Sequence, residues 1–255
     1  MNARFRIDSA ARSHEGRVRK SNEDSFCAQP RRGIWAVADG MGGHENGEWA
    51  SAEITGAIAR LPDPASFEEG CQALAGAIQE ANRRIWAEAQ TRGIQMGSTI
   101  VALTICDRHF AVLWVGDSRA YLLRAGTLYQ LSRDHSQVQE MIDRGLLEPE
   151  AAESHPMSHV LARAVGVMET VDVDVIADEL EAGDVFLLCS DGLTGRVADG
   201  ELADMLAAGG MAAVTERLER LTLERGAPDN VTIIAVAVDE TTMLSFAPPV
   251  RSEAP

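Results

Sequence analysis

Short apolar runs recur along the chain and predict buried β-strands. They are rich in Val, Ile and Leu and are bounded by Gly, Asp or Arg, as strands usually are. The predicted strands cover residues 34–38, 99–105, 110–115, 120–123, 185–189 and 231–238. Because several of them are separated by only a few residues, they favour antiparallel hairpins over parallel crossover units.

Longer stretches with apolar residues at every third or fourth position predict helices. One such stretch opens at Ser66, with Glu69 in the spacing of a capping box. A second region covers residues 199–225 and ends before Gly226, a residue suited to a helix stop. The combined pattern predicts an α+β fold in which helices pack outside mainly antiparallel sheets.

Length and composition indicate one domain. The chain has 255 residues, 45% of them hydrophobic, which is enough for one sizeable core. We predict a domain at residues 1–239 and a disordered tail at 240–255, where the sequence turns polar and proline-containing. The N-terminus lacks the apolar segment of a secretory signal, so we expect a cytoplasmic protein, and we expect a monomer.

Charge and cysteine content exclude several classes of function. The formal net charge is −16 and basic residues are not clustered, which argues against nucleic acid as a partner and against membrane insertion. The four cysteines are widely spaced, without a CxxC pair, and lie among apolar neighbours. They are therefore predicted to be reduced packing residues rather than disulfide or zinc ligands.

Four aspartates lie at the ends of predicted strands. Asp39, Asp117 and Asp191 follow a strand, and Asp229 precedes one. A single aspartate in such a place usually forms a turn, but four converging carboxylates would raise one another's pKa unless cations compensated them. Their oxygen atoms suit hard cations such as Mn²⁺ or Mg²⁺ rather than zinc.

Motifs around these aspartates resemble those of the metal-dependent protein phosphatase family, also called type 2C, in its bacterial branch. The matching strings occur in order: RKSNED at 19–24, VADGMGG at 37–43 followed by GEWAS at 47–51, GST at 97–99, VGDSR at 115–119, SRDH at 132–135, CSDGL at 189–193 and PDNV at 228–231. The resemblance covers residues 5–238 and implies a β-sandwich of two antiparallel sheets flanked by helices. It also implies a metal cluster in a cleft at one end of the sandwich.

The resemblance implies roles for the acidic residues. Asp39 would bridge two metal ions, the carbonyl of Gly40 would complete one site, and Asp191 and Asp229 would complete the other. Asp117, together with Asp191, would hold a third and weaker ion. In this view, two cations share one water and lower its pKa, so that a hydroxide attacks the phosphorus without a covalent intermediate.

Three further residues complete the implied site. Glu23 and Asp24 would orient water molecules on the metals, and Arg19 would bind the phosphoryl group through its planar guanidinium. Arg17 is an alternative for this last role, if both arginines lie on one face of an edge strand. Many eukaryotic relatives have a histidine where this chain has Met41, and His44 is more typical of a surface residue, so the general acid is left unassigned.

Residues 134–166 resemble the mobile flap of bacterial relatives. We predict a helix over 135–144 and a second short helix beginning near Pro149. His159 could reach the third metal, although a solvent-facing histidine is the simpler interpretation. Substrate preference is not transferable, because residues 157–159 depart from the family pattern.

The resemblance implies hydrolysis of phosphoserine and phosphothreonine on proteins, opposing a eukaryotic-like kinase in bacterial signalling. One alternative is a catalytically inactive relative that binds phosphoproteins, which would require the loss of a metal-binding aspartate. Another is a phosphatase acting on a small metabolite, which the motifs alone do not exclude.

Overall fold

The computed structural model describes residues 4–43, 45–152, 155–157 and 160–241. The strands are β1 (Arg4–His14), β2 (Asp24–Gln29), β3 (Ile34–Met41), β4 (Gly97–Ser98), β5 (Ile100–Cys106), β6 (His109–Val115), β7 (Arg119–Arg124), β8 (Thr127–Gln130), β9 (Asp174–Glu179), β10 (Val185–Cys189) and β11 (Val231–Thr241). The α-helices are α1 (Glu45–Ala59), α2 (Phe67–Arg92), α3 (Gln137–Asp143), α4 (Asp191–Thr194), α5 (Asp199–Leu206) and α6 (Met211–Glu224).

Two antiparallel sheets form a sandwich. The first sheet has the strand order β1-β11-β10-β7-β8, and the second has the order β2-β3-β5-β6-β9, with β4 paired to β3. Helices α1 and α2 cover the outside of the second sheet, and α5 and α6 cover the outside of the first. The predicted α+β sandwich is therefore confirmed.

Three apolar layers hold the sandwich together. The central layer lies between the sheets and contains the fully buried Trp35, Phe110 and Phe186, of which the two phenylalanines meet edge to face. The two outer layers lie between each sheet and its helices. Because both faces of the central strands are covered, their sequences are continuous apolar runs rather than alternating ones. This burial explains why those runs are so clear in the sequence.

The predicted strands are confirmed, but besides the two-residue β4, four others were not predicted. These are β1, β2, β8 and β9, which lie at the sheet edges and carry polar or exposed side chains. The edge strand proposed to carry Arg17 and Arg19 is also wrong, because both residues lie in the turn between β1 and β2. Edge strands face solvent, so the apolar periodicity that marks a strand is weak there.

The helical predictions are partly confirmed. Ser66 caps α2 by accepting a hydrogen bond from the amide of Glu69 at 3.1 Å, as predicted. The region 199–225 is two helices rather than one, because the chain bends near Gly209, whose φ of 106° belongs to the left-handed region. Helix α1 was missed because its buried face has only two large apolar residues, Ile54 and Ile58. The other buried residues are small or polar: Gly47, Ala50, Ser51 and Thr55.

The ends of the predicted domain and flap differ in detail. Strand β11 continues through Thr241, beyond the boundary predicted at residue 239, and residues 242–255 lie outside the described residues. In the flap, α3 is shorter than the predicted helix, and the second helix is a single 3-10 turn at Pro149–Ala151. In the part of the chain that the structure describes, no helix is both long and apolar enough to cross a membrane.

A buried ion pair at the end of the sandwich opposite residues 189–193 provides a test of the fold. Asp184 is 1% exposed, and Arg124 donates to both of its carboxylate oxygens at 2.8 and 2.7 Å. We expect Arg124→Met to lower the free energy of unfolding by about 3 kcal/mol, because a buried charge loses its partner. Arg220→Met, which removes an exposed pair with Glu224, should change it by less than about 0.5 kcal/mol. Urea denaturation of both variants checks this, and equal small losses would contradict it.

Candidate functional site

The four predicted aspartates converge at one end of the sandwich. Asp39 lies near the end of β3, Asp117 follows β6, Asp191 is the first residue of α4 after β10, and Asp229 precedes β11. Each is half-buried, with part of its surface open to a cleft. Antiparallel pairing of the strands brings these chain positions to the same edge, as the sequence pattern predicted.

Asp24 is the most enclosed carboxylate of this group. It lies directly opposite Asp39 across the β2–β3 pair and is 8% exposed. Its Oδ2 accepts a hydrogen bond from the Ser190 hydroxyl at 2.8 Å, whereas Oδ1 has no hydrogen-bond partner among the described residues. Burial, reinforced by the charges of Asp191 and Asp229, raises the pKa of Asp24 to about 7.

Two other carboxyl groups are affected in the same way. Burial and the negative charges of Asp24 and Asp191 raise the pKa of Asp39 well above its usual range. Burial and the charge of Asp191 raise the pKa of Asp117 to about 7. The protein alone therefore disfavours the ionised form of this cluster, and a bound cation would favour it.

Hydroxyl groups from a neighbouring strand fix the backbone of Asp39. The Thr99 hydroxyl accepts a hydrogen bond from the Asp39 amide at 3.1 Å, and the Asp39 carbonyl accepts from the Ser98 hydroxyl at 2.8 Å. Thr99 also shares a 2.7 Å hydrogen bond with Ser118, which is next to Asp117. The GST and GDSR motifs thus position two of the carboxylates.

Glycines allow the backbone segments of the cleft to approach one another. A Cβ atom on Gly40 would lie 2.1 Å from the carbonyl oxygen of Gly47 and 2.5 Å from that of Glu23. A Cβ atom on Gly192 would lie 1.9 Å from the Asn230 carbonyl oxygen. These contacts leave no room for side chains, so glycine is required where the loops bearing Asp39, Glu23 and Asp191 meet.

Asn230 is a structural organiser that sequence reasoning missed. Its side-chain oxygen accepts the amide of Glu23 at 2.8 Å, and its Nδ2 donates to the carbonyls of Glu15 and Ser21, each at 2.9 Å. Asn230 is 5% exposed. It therefore fixes the turn that carries Arg19 and the start of the Glu23–Asp24 segment, and the PDNV motif was the available signal.

Arg19 lies beside the carboxylates, whereas Arg17 does not share this position. The Arg19 guanidinium donates to Asp229 Oδ2 at 2.7 Å, and this contact raises the arginine pKa. The Nε of Arg17 instead donates to the Leu223 carbonyl on α6 at 2.8 Å. The geometry therefore favours Arg19, and not Arg17, as the residue that meets an anion in the cleft.

The residues fit hard divalent cations in their chemistry. The candidate metal-ligand atoms of the cluster are carboxylate oxygens, which hard divalent cations prefer. The buried Oδ1 of Asp24 has no hydrogen-bond partner among the described residues, as expected for an oxygen that faces a bound cation or its water. Among the described residues, however, no three acidic, histidine or cysteine side chains are already arranged around a single point. Binding of a cation at Asp229 would therefore require this carboxylate to exchange Arg19 for the ion.

Met41, which replaces the histidine of many eukaryotic relatives, provides no general acid. The methyl group of Met41 lies close to Gly97 at the end of β3, and a thioether has no proton to donate. His44 and His159, the two histidines considered from the sequence, lie outside the described residues.

A groove of about 420 Å³ lies beside this cleft at the base of the flap. Helix α3 forms one wall, and Arg163 and Asp174 form the other. At its inner end, Arg119 holds Asp134 through two of its nitrogen atoms at 2.7 to 3.1 Å, and His135 lies next to them. Burial and the charge of Arg163 lower the pKa of His135.

Comparison with known proteins gives consistent matches. The Protein phosphatase 2C family pattern matches residues 6–141. The serine/threonine protein phosphatase PstP of Mycobacterium tuberculosis is 39% identical over 231 residues, which are 90% of this chain and 44% of that protein. The chain thus spans less than half the length of that relative.

Solved structures agree with this fold. A structure described as PppA, a key regulatory component of T6SS in Pseudomonas aeruginosa, has a TM-score of 0.86 and 43% identity, covering 91% of this chain and 97% of that one. The catalytic domain of PstP, described as in complex with 2 manganese ions, has a TM-score of 0.84 and 36% identity, covering 92% and 100%. The ordered motifs, the two-sheet sandwich and these similarities agree, and the chain belongs to the protein phosphatase 2C family.

Proposed function

We propose that this protein is a metal-dependent phosphatase that hydrolyses phosphoserine and phosphothreonine on other proteins. The observation that carries the proposal is the cluster of carboxyl groups whose pKa values are raised by burial and by one another. Such a cluster is unfavourable by itself and becomes favourable when divalent cations bind. Family membership and the similarity to a manganese-containing relative support this function.

The proposed ligands are those that the family resemblance implies, and they all lie at the same end of the sandwich. Asp39, the Gly40 carbonyl, Asp191 and Asp229 would hold two ions of Mn²⁺ or Mg²⁺. Asp117, beside Asp191, would hold a third ion more weakly. When bound, the ions lower the pKa of water and offset the charge of the transferred phosphoryl group.

The remaining residues of the site orient water molecules and bind the substrate phosphoryl group. Glu23 and Asp24 accept hydrogen bonds from water at the site, and the Ser190 hydroxyl keeps the Asp24 carboxylate in place. Arg19 leaves Asp229 for the substrate phosphoryl group, to which its guanidinium can donate two parallel hydrogen bonds. Asn230 keeps the Arg19 turn close to the cleft.

Phosphorylated proteins are the proposed substrates, among them a serine/threonine kinase and its targets. The relatives named as serine/threonine phosphatases support this class of substrate over a small metabolite. An inactive phosphoprotein-binding relative is the alternative, and it is disfavoured because all the metal-binding aspartates are present.

Activity should depend on the metal. We expect hydrolysis of para-nitrophenyl phosphate and of a phosphothreonine peptide with Mn²⁺ or Mg²⁺, and none in excess EDTA, because the nucleophile requires the cation. Asp39→Asn should remove nearly all turnover. Colorimetric phosphate release measures both effects.

A matched aspartate controls for damage to the fold. Asp107 lies exposed in the turn between β5 and β6, with a φ of 53° that asparagine also adopts, so Asp107→Asn should retain full activity. Full wild-type activity in EDTA, or equal losses in the two variants, would overturn the proposed function.

Arg19 should act mainly on substrate binding. Arg19→Ala should raise the KM for a phosphothreonine peptide by about 10- to 100-fold, equivalent to the loss of about 1.5 to 3 kcal/mol from a charged hydrogen bond. The Mn²⁺ affinity measured by calorimetry should not weaken, because the variant frees Asp229 from a competing cation. Arg17→Ala is the control, and a KM increase in that variant instead would transfer the role to Arg17.

A further inference from the structure

His135 occupies an enclosed position for which the sequence motif SRDH gave no role. Its side chain is 9% exposed and its ring stacks on Trp114, with the ring centroids 6.2 Å apart and the planes 21° from parallel. The Trp114 indole donates to the Arg133 carbonyl at 2.8 Å. The imidazole is therefore held in one orientation by a neighbour that is itself fixed.

His135 and Gly116 are joined by two hydrogen bonds in opposite directions. The His135 amide donates to the Gly116 carbonyl at 2.9 Å, and the Gly116 amide donates to His135 Nδ1 at 3.1 Å. Gly116 has a φ of 108°, and a Cβ atom there would lie 2.6 Å from Thr99. The turn before Asp117 thus has an unusual backbone conformation that the histidine stabilises.

The opposite edge of the imidazole faces β9. His135 Nε2 lies 3.2 Å from Asp174 Oδ2, and because Nδ1 accepts a hydrogen bond, Nε2 carries the proton and donates it. Asp174 Oδ1 also accepts a hydrogen bond from Arg163 at 2.7 Å. The imidazole therefore connects the Gly116 turn with an ion pair at the end of the flap.

The backbone of His135 also closes the base of the flap. Its carbonyl accepts the amide of Ala162 at 2.7 Å, and the next residue, Ser136, forms an antiparallel bridge with Leu161. One residue therefore contacts both ends of the flap and the turn that carries Asp117.

We propose that His135 is a positioning residue, which sets the orientation of Asp117 and links it to the base of the flap. This inference rests on the proposed function, in which Asp117 holds the weaker third ion. A change in the flap reaches His135 in two ways: through the Ala162 amide on its carbonyl, and through the Arg163–Asp174 pair on its Nε2. The imidazole passes this change to the Gly116 amide through Nδ1. Substrate binding at the flap and the placement of Asp117 are then coupled through one side chain.

Two amide substitutions separate the contacts of the imidazole. The polar atoms of asparagine reach the position of Nδ1, so His135→Asn keeps an acceptor for the Gly116 amide. The polar atoms of glutamine reach the position of Nε2, so His135→Gln keeps a partner for Asp174 and leaves the Gly116 amide without its acceptor. His109→Asn, at the exposed far end of β6, is the control.

Hydrogen–deuterium exchange of the metal-free, full-length protein gives a readout that is independent of activity. We expect the amides of residues 115–118 to exchange at least about 10-fold faster in His135→Gln than in His135→Asn, because only Gln loses the acceptor for Gly116. The amides of residues 162–163 should exchange faster in His135→Asn, which loses the partner for Asp174, and His109→Asn should stay close to the wild-type rates. Equal exchange of both segments in the Asn and Gln variants at position 135 would overturn the proposal.

A double-mutant cycle tests whether His135 acts through Asp117. In the Mn²⁺-loaded enzyme, His135→Gln should lower kcat on a phosphothreonine peptide by about 10- to 100-fold with KM little changed, as for other residues that orient metal ligands. In the Asp117→Asn background the same substitution should have no further effect, because the residue it positions is already lost. Equal losses in both backgrounds would overturn the proposal.

The proposed function and this inference can fail separately. If the wild-type protein shows no metal-dependent phosphatase activity, the function proposed above fails, and the exchange experiment alone decides whether His135 links the flap to the Gly116 turn. If the activity is present and the exchange rates of the two amide variants are equal, only the role of His135 fails.

Discussion

Mutual repulsion among buried carboxylates is the constraint on which this end of the molecule depends. Asp24 and Asp39 lie opposite each other on adjacent strands, and burial, together with the charge of Asp191, raises the pKa of both. Functional sites often contain such crowded carboxylates. The unfavourable free energy of holding them together in the folded state would be offset by the binding of a cation. The sandwich provides the rigidity: its central strands are buried on both faces, which limits how far the carboxylates can move apart.

Neutral groups hold this charged cluster in place. The hydroxyls of Ser98 and Ser190 donate to the Asp39 carbonyl and the Asp24 carboxylate, without adding charge. The Thr99 hydroxyl and the Asn230 side-chain oxygen accept the backbone amides of Asp39 and Glu23. Arg19 is paired with Asp229 and is more than half exposed, so it can exchange partners. The site thus combines fixed hydrogen-bonding groups with the exposed guanidinium of Arg19, which can exchange partners. This arrangement supports the proposed binding of metal ions and of a phosphoryl group.

The strands next to Asp39, Asp117, Asp191 and Asp229 could be predicted because their burial leaves a continuous apolar signal, whereas the edge strand β2, which bears Asp24, could not. The aspartates at their ends followed directly, since a carboxylate beside glycine at a strand end is readable from residue order alone. Helix α1 and strand β1 could not be predicted, because most buried residues of α1 are small or polar and β1 is an edge strand. The roles of Asn230 and His135 also required the structure, because their partners are up to 215 residues away in the chain, as for Asn230 and Glu15.

Thermal unfolding of the metal-free protein tests the central claim most directly. Raised pKa values in the folded state mean that, above the unfolded value of about 4, ionisation of these carboxyl groups opposes folding. In EDTA at pH 7.5, Asp39→Asn should therefore melt at a higher temperature than the wild type. The difference between the variant and the wild type should be smaller at pH 5.5 than at pH 7.5. Added Mn²⁺ should raise the melting temperature of the wild type and much less that of the variant. A variant that melts lower in EDTA and gains as much from Mn²⁺ would contradict the account.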